Sequence, residues 1–90
     1  MVTPDQISRC IQIARKYRVR TLVLFGSAFN SPEIARDIDL IAAGVTGIDF
    51  TSMGVEMEDA VGMQVDLVPM EPRTRFVEYN IKNGKQLYAA

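Results

Sequence analysis

The sequence predicts an α/β (α+β) protein in which helices pack on one face of a small mixed β-sheet. Short runs rich in aliphatic and β-branched residues have the length and pattern of strands at residues 20–25, 37–42 and 64–68. Segments with apolar residues at helical spacing lie before, between and after these runs. Helices and strands that alternate in this way pack as layers. Because 90 residues with 48% hydrophobic residues suit one core, we expect a single domain over residues 1–90.

The first element is expected to be a helix that begins beside the N-terminus. Thr3 stands at the N-cap position, Pro4 opens the first turn, and Gln6 completes a capping-box pattern. The only cysteine, Cys10, falls on the apolar face, so we expect a buried reduced thiol there rather than a nucleophile or a disulfide. The apolar residues of this helix repeat at helical spacing and predict one buried stripe: Ile7, Cys10, Ile11, Ala14 and Tyr17.

The later part of the chain predicts two more helices and a final strand. The second helix is expected from near Asp49 or Ser52 to Val61, with Gly62 just beyond its end. The third is expected to open at Pro72 and to lead into a short terminal strand.

Three aspartates stand out on the predicted strands. Side chains alternate along a strand, so Asp37 and Asp39 point to one face while Ile38 and Leu40 point to the other. Asp66 lies between aliphatic residues on a third strand with the same pattern. If that strand lies beside the Asp37 strand, three carboxylates converge on one face.

Such convergence favours a bound cation. Like charges a few ångströms apart raise one another's pKa, and a divalent cation removes that repulsion. The chain has no histidine and one cysteine, which excludes a His/Cys zinc site and a histidine-based catalytic triad. Mg²⁺ prefers oxygen ligands and suits phosphate substrates. The predicted metal ligands are Asp37, Asp39 and Asp66.

A glycine and a serine end the first predicted strand. Gly26 allows a ligand to approach the backbone closely, and Ser27 adds a hydroxyl donor, so the pair could hold phosphate oxygens. Taken alone, a Gly-Ser pair after a strand is usually a turn, and aspartates at a strand start often cap turns. The combined order of strand, Gly-Ser, paired acids, helix and acid-bearing strand is much more specific.

These residues resemble the signature of the minimal nucleotidyltransferases, MntA-like members of the DNA polymerase β superfamily, over nearly the whole chain. The resemblance implies a palm-like fold in which Asp37 and Asp39 ligate metal and Asp66 helps to activate an acceptor hydroxyl. It implies that Gly26 and Ser27 hold the triphosphate of ATP. It also implies a HEPN-type protein partner in a toxin–antitoxin pair. The segments that carry it are Leu24-Phe25-Gly26-Ser27, Asp37-Ile38-Asp39-Leu40 and Val65-Asp66-Leu67-Val68.

The connector between Ser27 and Asp37 departs from this family pattern. Members usually carry a basic residue and a glycine soon after Gly-Ser, whereas residues 28–35 contain neither. Either the phosphate-binding arginine is missing, or Arg36 replaces it from the far end of the loop.

Two functions remain open on these residues. The first is Mg²⁺-dependent transfer of AMP from ATP to a hydroxyl of a partner protein, as an antitoxin. The alternative is a catalytically degenerate antitoxin or adaptor that binds its partner stoichiometrically.

Charge and hydropathy disfavour other classes. The net charge of −1 and a pI near 5.3 argue against a nucleic-acid substrate. No apolar run approaches the roughly 18 residues that span a bilayer, and no signal peptide is evident, so we expect a cytoplasmic location. Homo- or hetero-oligomers are both compatible with the sequence. Half of the basic residues fall in the first twenty positions and are interpreted as a solvated helix end: Arg9, Arg15, Lys16, Arg18 and Arg20.

Overall fold

The computed structural model describes residues 1–90, and it confirms the predicted α/β class. Helices and strands alternate along the chain and form a four-stranded mixed sheet with four helices. In chain order the elements are α1 (Pro4–Lys16), β1 (Thr21–Phe25), α2 (Ser27–Asn30), β2 (Asp37–Ala43), α3 (Gly47–Val61), β3 (Gln64–Pro69), α4 (Arg75–Asn83) and β4 (Lys85–Ala89).

The sheet has the strand order β3-β2-β1-β4. β1 is antiparallel to both β2 and β4, whereas β2 and β3 are parallel and are joined by the crossover helix α3. Two register pairs define the region where the acids lie. The Cα of Asp39 is opposite Phe25 on one side and opposite Asp66 on the other.

One face of the sheet is covered by α1 and α3. Side chains from β1 and β2, among them Leu22, Ile38 and Leu40, are fully buried against these helices. Met57 from α3 and Cys10 from α1 complete the contact, and burial raises the pKa of the Cys10 thiol to about 11. The predicted buried thiol is thereby confirmed.

The opposite face is partly covered by α4, which differs from the prediction of helices on one face only. Val77 of α4 packs with Val23, Phe25 and Ile41 in a second, smaller core. The reason lies in β1, whose apolar residues are continuous rather than alternating and therefore need cover on both faces. The carboxylates share this second face beyond the part that α4 covers.

Local signals placed the first helix correctly. The Thr3 hydroxyl accepts a hydrogen bond from the Gln6 amide at 3.2 Å, and the Gln6 side chain accepts one from the Thr3 amide at 2.9 Å. The predicted stripe faces the core, since Cys10 and Ala14 are buried and the other three members pack against the core cluster. None of the four helices combines the length and the apolar character needed to cross a membrane.

The other helix ends agree with the predictions to different degrees. α3 begins at Gly47, slightly before the expected start, and ends at Val61 with Gly62 in the left-handed conformation at φ 71°. The expectation that the last helix opens at Pro72 is wrong. It begins at Arg75, because the Thr74 hydroxyl caps it by accepting a hydrogen bond from the Val77 amide at 3.2 Å.

Candidate functional site

Three carboxylates meet near the starts of β2 and β3, on the face of the sheet that α4 partly covers. Asp37 and Asp39 point to the same side of β2 because they are two residues apart, and Ile38 between them is fully buried on the other side. β3 lies beside β2 in a register that pairs Asp66 with Asp39. One carboxylate oxygen from each of the three residues lies within 4.8 Å of the others, and all three residues are partly exposed.

The electrostatics of this cluster are unfavourable without a counter-charge. The pKa of Asp39 is raised to about 6, first by partial burial and then by the negative charges of Asp37 and Asp66. A hydrogen bond with Asp66 acts in the same direction. The donor set consists of carboxylate oxygens, which fits a hard divalent cation such as Mg²⁺.

Gln64 is a part of this cluster that sequence reasoning missed. Its side-chain amide donates a hydrogen bond of 2.7 Å to the Oδ1 atom of Asp66, and its Cα is the register partner of Asp37. This contact holds one oxygen of Asp66 in place. The spacing of two residues between Gln64 and Asp66 on one strand is the signal that could have revealed it.

Only glycine fits at position 26, because the backbone there lies close to the Asp39 side chain. Its backbone has φ 70°, and a Cβ atom at this position would lie 2.5 Å from the Oδ2 atom of Asp39. Ser27 follows as the exposed first residue of the short helix α2, which the sequence did not predict. The structure therefore places the predicted Gly-Ser turn directly beside the carboxylates.

Arg36 is exposed and immediately precedes β2. Its side chain makes no ion pair within the chain. α2 contributes no basic residue to the site. Of the cations near the Gly-Ser connector, Arg36 alone is adjacent in sequence to an acid of the cluster, and its role in phosphate binding stays a prediction.

No protein-family model matches the chain, and no curated protein sequence matches it. Solved structures do. A toxin–antitoxin complex with AMP-PNP contains a chain that aligns with a TM-score of 0.78 at 21% identity, over 92% of this chain and 73% of that one. A chain of the complex of tri-AMPylated Shewanella oneidensis HEPN toxin with MNT antitoxin aligns with a TM-score of 0.71 at 21% identity, over 94% of this chain and 73% of that one.

A third structure is nearly the same length as this chain. It is designated a minimal nucleotidyltransferase and aligns over 98% of this chain and 96% of its own, with a TM-score of 0.68 and 23% identity. This chain has the minimal nucleotidyltransferase fold. The resemblance identified from three sequence segments is thus confirmed for the fold. Within this minimal nucleotidyltransferase fold, the acids of β2 and β3 and the turn after β1 lie together at the same ends of three neighbouring strands.

Proposed function

We propose that residues 1–90 form one nucleotidyltransferase domain that moves AMP from ATP to a hydroxyl of a partner protein, with Mg²⁺ as the metal. The observation that carries this proposal is the convergence of Asp37, Asp39 and Asp66 within 4.8 Å, beside the Gly26 turn. The similar complexes that contain AMP-PNP and an AMPylated HEPN toxin support the choice of nucleotide and of a HEPN-type partner, and hence an antitoxin role.

In this proposal Asp37 and Asp39 hold the metal, and Asp66 completes the donor set. When bound, Mg²⁺ neutralises phosphate charge and lowers the pKa of an acceptor hydroxyl. Partial burial, and after it repulsion by Asp37 and Asp66, raises the pKa of Asp39, and that repulsion is the structural reason to expect a cation here.

Asp66 is proposed to accept the proton of the acceptor hydroxyl. Its Oδ1 atom accepts a hydrogen bond from Gln64, which would orient the carboxylate that takes that proton. The acceptor oxygen then forms a bond to the α-phosphorus, the bond from that phosphorus to the bridging oxygen breaks, and pyrophosphate leaves. The backbone amides at Gly26 and Ser27, the Ser27 hydroxyl and the Arg36 guanidinium are proposed to hold the phosphates.

A second function is favoured by one feature of the connector. α2 has no basic residue, and Arg36 lies at the opposite end of the loop. One charge-assisted phosphate contact is worth about 1.5 to 3 kcal/mol, so its loss would weaken ATP binding about tenfold or more. A chain with that loss would act as a stoichiometric antitoxin or adaptor.

One experiment separates the two functions. The protein is incubated with Mg²⁺, α-labelled ATP and its co-purified partner, beside an Asp37→Ala/Asp39→Ala double variant. Asp59→Ala serves as the matched control, because Asp59 is an exposed acid of α3 that makes no ion pair. Label on the partner that is lost only in the double variant supports catalysis. Equal neutralisation of the partner by all three proteins, with no label transferred, supports the binding function.

A further inference from the structure

Helix α4 presents exposed aromatic side chains on the side of the sheet that carries the carboxylates. Phe76 is 56% exposed and Tyr79 is 65% exposed, although both belong to a helix that packs through Val77. Single exposed apolar residues are common on protein surfaces. These two are neighbours on one helix surface, because residues three apart lie side by side.

The aromatic surface is continuous with the site through Phe25. The rings of Phe76 and Phe25 are in edge-to-face contact, with centroids 5.8 Å apart and planes at 86°. Phe25 is the register partner of Asp39, and directly opposed residues of antiparallel strands project to the same face. It is also the residue just before Gly26. One aromatic ring therefore links Phe76 to the acids and to the proposed phosphate turn.

The remainder of α4 differs in character. Its residues 78 and 82 are exposed charged side chains, and Glu78 lies 3.8 Å from Arg73 in an ion pair. Just after the end of α4, Gly84 lies so close to Phe25 that an added Cβ would be 3.2 Å from the Phe25 Cβ. Phe76 is thus the exposed aromatic residue of α4 that contacts Phe25, the register partner of Asp39.

We propose that Phe76, with Tyr79 beside it, is the platform on which the base of the donor nucleotide stacks. This inference rests on the proposed function and adds to it a residue that recognises the nucleoside. Phosphates held by the turn and metal leave the base without a partner, and aromatic side chains bind unstacked bases of any sequence through their π-faces. Phe25 is itself buried, whereas most of the Phe76 side chain is open to a ligand.

The test compares two ligands that differ in whether they carry a nucleoside. Calorimetric titration with Mg²⁺ measures the Kd of α,β-methylene-ATP, in which the bond to be broken is uncleavable, and of inorganic tripolyphosphate. Phe76→Ala should raise the Kd of the nucleotide by roughly 5- to 100-fold, the range for loss of one stacked aromatic, and leave the Kd of tripolyphosphate unchanged. Phe76→Tyr should retain nucleotide affinity. Ile48→Ala removes a side chain of α3 that is 83% exposed and should change neither Kd.

Phe76→Leu guards against a folding artefact, because it keeps an apolar contact with Phe25 but has no π-face. It should lose nucleotide affinity as Phe76→Ala does, with an unchanged melting temperature. If Phe76→Ala leaves the ratio of the two Kd values unchanged, the stacking platform is overturned. This holds whether affinity falls equally for both ligands or for neither, and also if only binding of the partner protein is reduced. If the parent protein binds neither ligand, the proposed function itself is overturned. The two failures are therefore distinguishable.

Discussion

The two faces of the sheet differ in how completely helices cover them. The face under α1 and α3 is closed by fully buried apolar side chains, and no polar residue of the chain is buried. The other face has a smaller core under α4, and beyond it lie three partly exposed carboxylates and exposed aromatic rings. The comparison teaches that the first face supplies stability, while the second carries like charges close together, which is unfavourable for stability and marks the candidate site.

The largest effect is expected on the closed face. Met57→Ala removes a fully buried side chain of α3 and should lower the free energy of unfolding by about 2 to 5 kcal/mol. For a chain of this size that corresponds to a fall in melting temperature of roughly 10 °C or more. The affinity of the remaining folded protein for Mg²⁺ and nucleotide should not change. If that affinity falls together with stability, the closed face and the candidate site do not contribute independently.

Gly26→Ala should damage both stability and the site. The new Cβ would lie 2.5 Å from the Oδ2 atom of Asp39, and the backbone conformation of φ 70° and ψ −153° is one that only glycine adopts readily. We expect a loss of about 1 to 3 kcal/mol in the free energy of unfolding, together with weaker Mg²⁺ binding.

Gly62→Ala is the matched control for this change. Gly62 also has positive φ, at 71°, but an added Cβ there meets open space. It should cost about 1 kcal/mol of stability and leave Mg²⁺ affinity as it is. Equal effects of the two substitutions on Mg²⁺ affinity would contradict the close packing of Gly26 on Asp39.

Gln64→Ala should affect the site without affecting stability. The side chain is exposed, and its hydrogen bond of 2.7 Å goes to Asp66. Loss of such an outer partner typically reduces metal affinity or activity by roughly 10- to 100-fold. Gln86→Ala on the edge strand β4 removes an exposed glutamine side chain that makes no hydrogen bond, and it should change neither Mg²⁺ affinity nor the melting temperature. A Gln64 variant with normal Mg²⁺ affinity and transfer rate would remove this residue from the site.

The smallest effect concerns the charge of Asp39. Its folded-state pKa of about 6 lies above the ordinary value of 3.8, so the metal-free folded protein binds this proton more tightly than the unfolded chain does. The free energy of unfolding should therefore fall as pH rises from about 4 to about 6 and stay level above that. After allowance for solvent screening, Asp39→Asn should add ~1 kcal/mol at pH 7.5 and nothing at pH 4.

Urea unfolding of both proteins across this pH range, with and without Mg²⁺, measures the effect. Added Mg²⁺ should stabilise the parent protein more than the Asp39→Asn variant, because the ion relieves repulsion that the variant lacks. Asp59→Asn, an exposed change on α3, should show no such pH dependence. A gain in stability that is equal at pH 4 and pH 7.5 would argue against charge repulsion in the cluster.

Much of the site could be predicted from the sequence because its determinants are local. The alternation of Asp37, Ile38 and Asp39 assigns each side chain to a face, since a strand has a period of two. Thr3 with Gln6 begins α1, and Gly62 ends α3, through hydrogen bonds and backbone angles within a few residues of each other. The start of α4 shows where this fails, because Pro72 and Thr74 both suit a helix start and only the Thr74 cap forms.

What only the tertiary structure decided involves residues far apart in the chain. The parallel register of β2 and β3 sets Asp66 opposite Asp39, and the approach of the Gly26 turn to Asp39 follows from how β1 pairs with β2. The position of α4 on the second face brings Phe76 to Phe25. Periodicity specifies which face a side chain takes, but which strands become neighbours, and in which register, depends on packing the whole core at once. The sequence by itself therefore determined the acids and the elements that carry them, and the packing of the sheet brought them together in one candidate site.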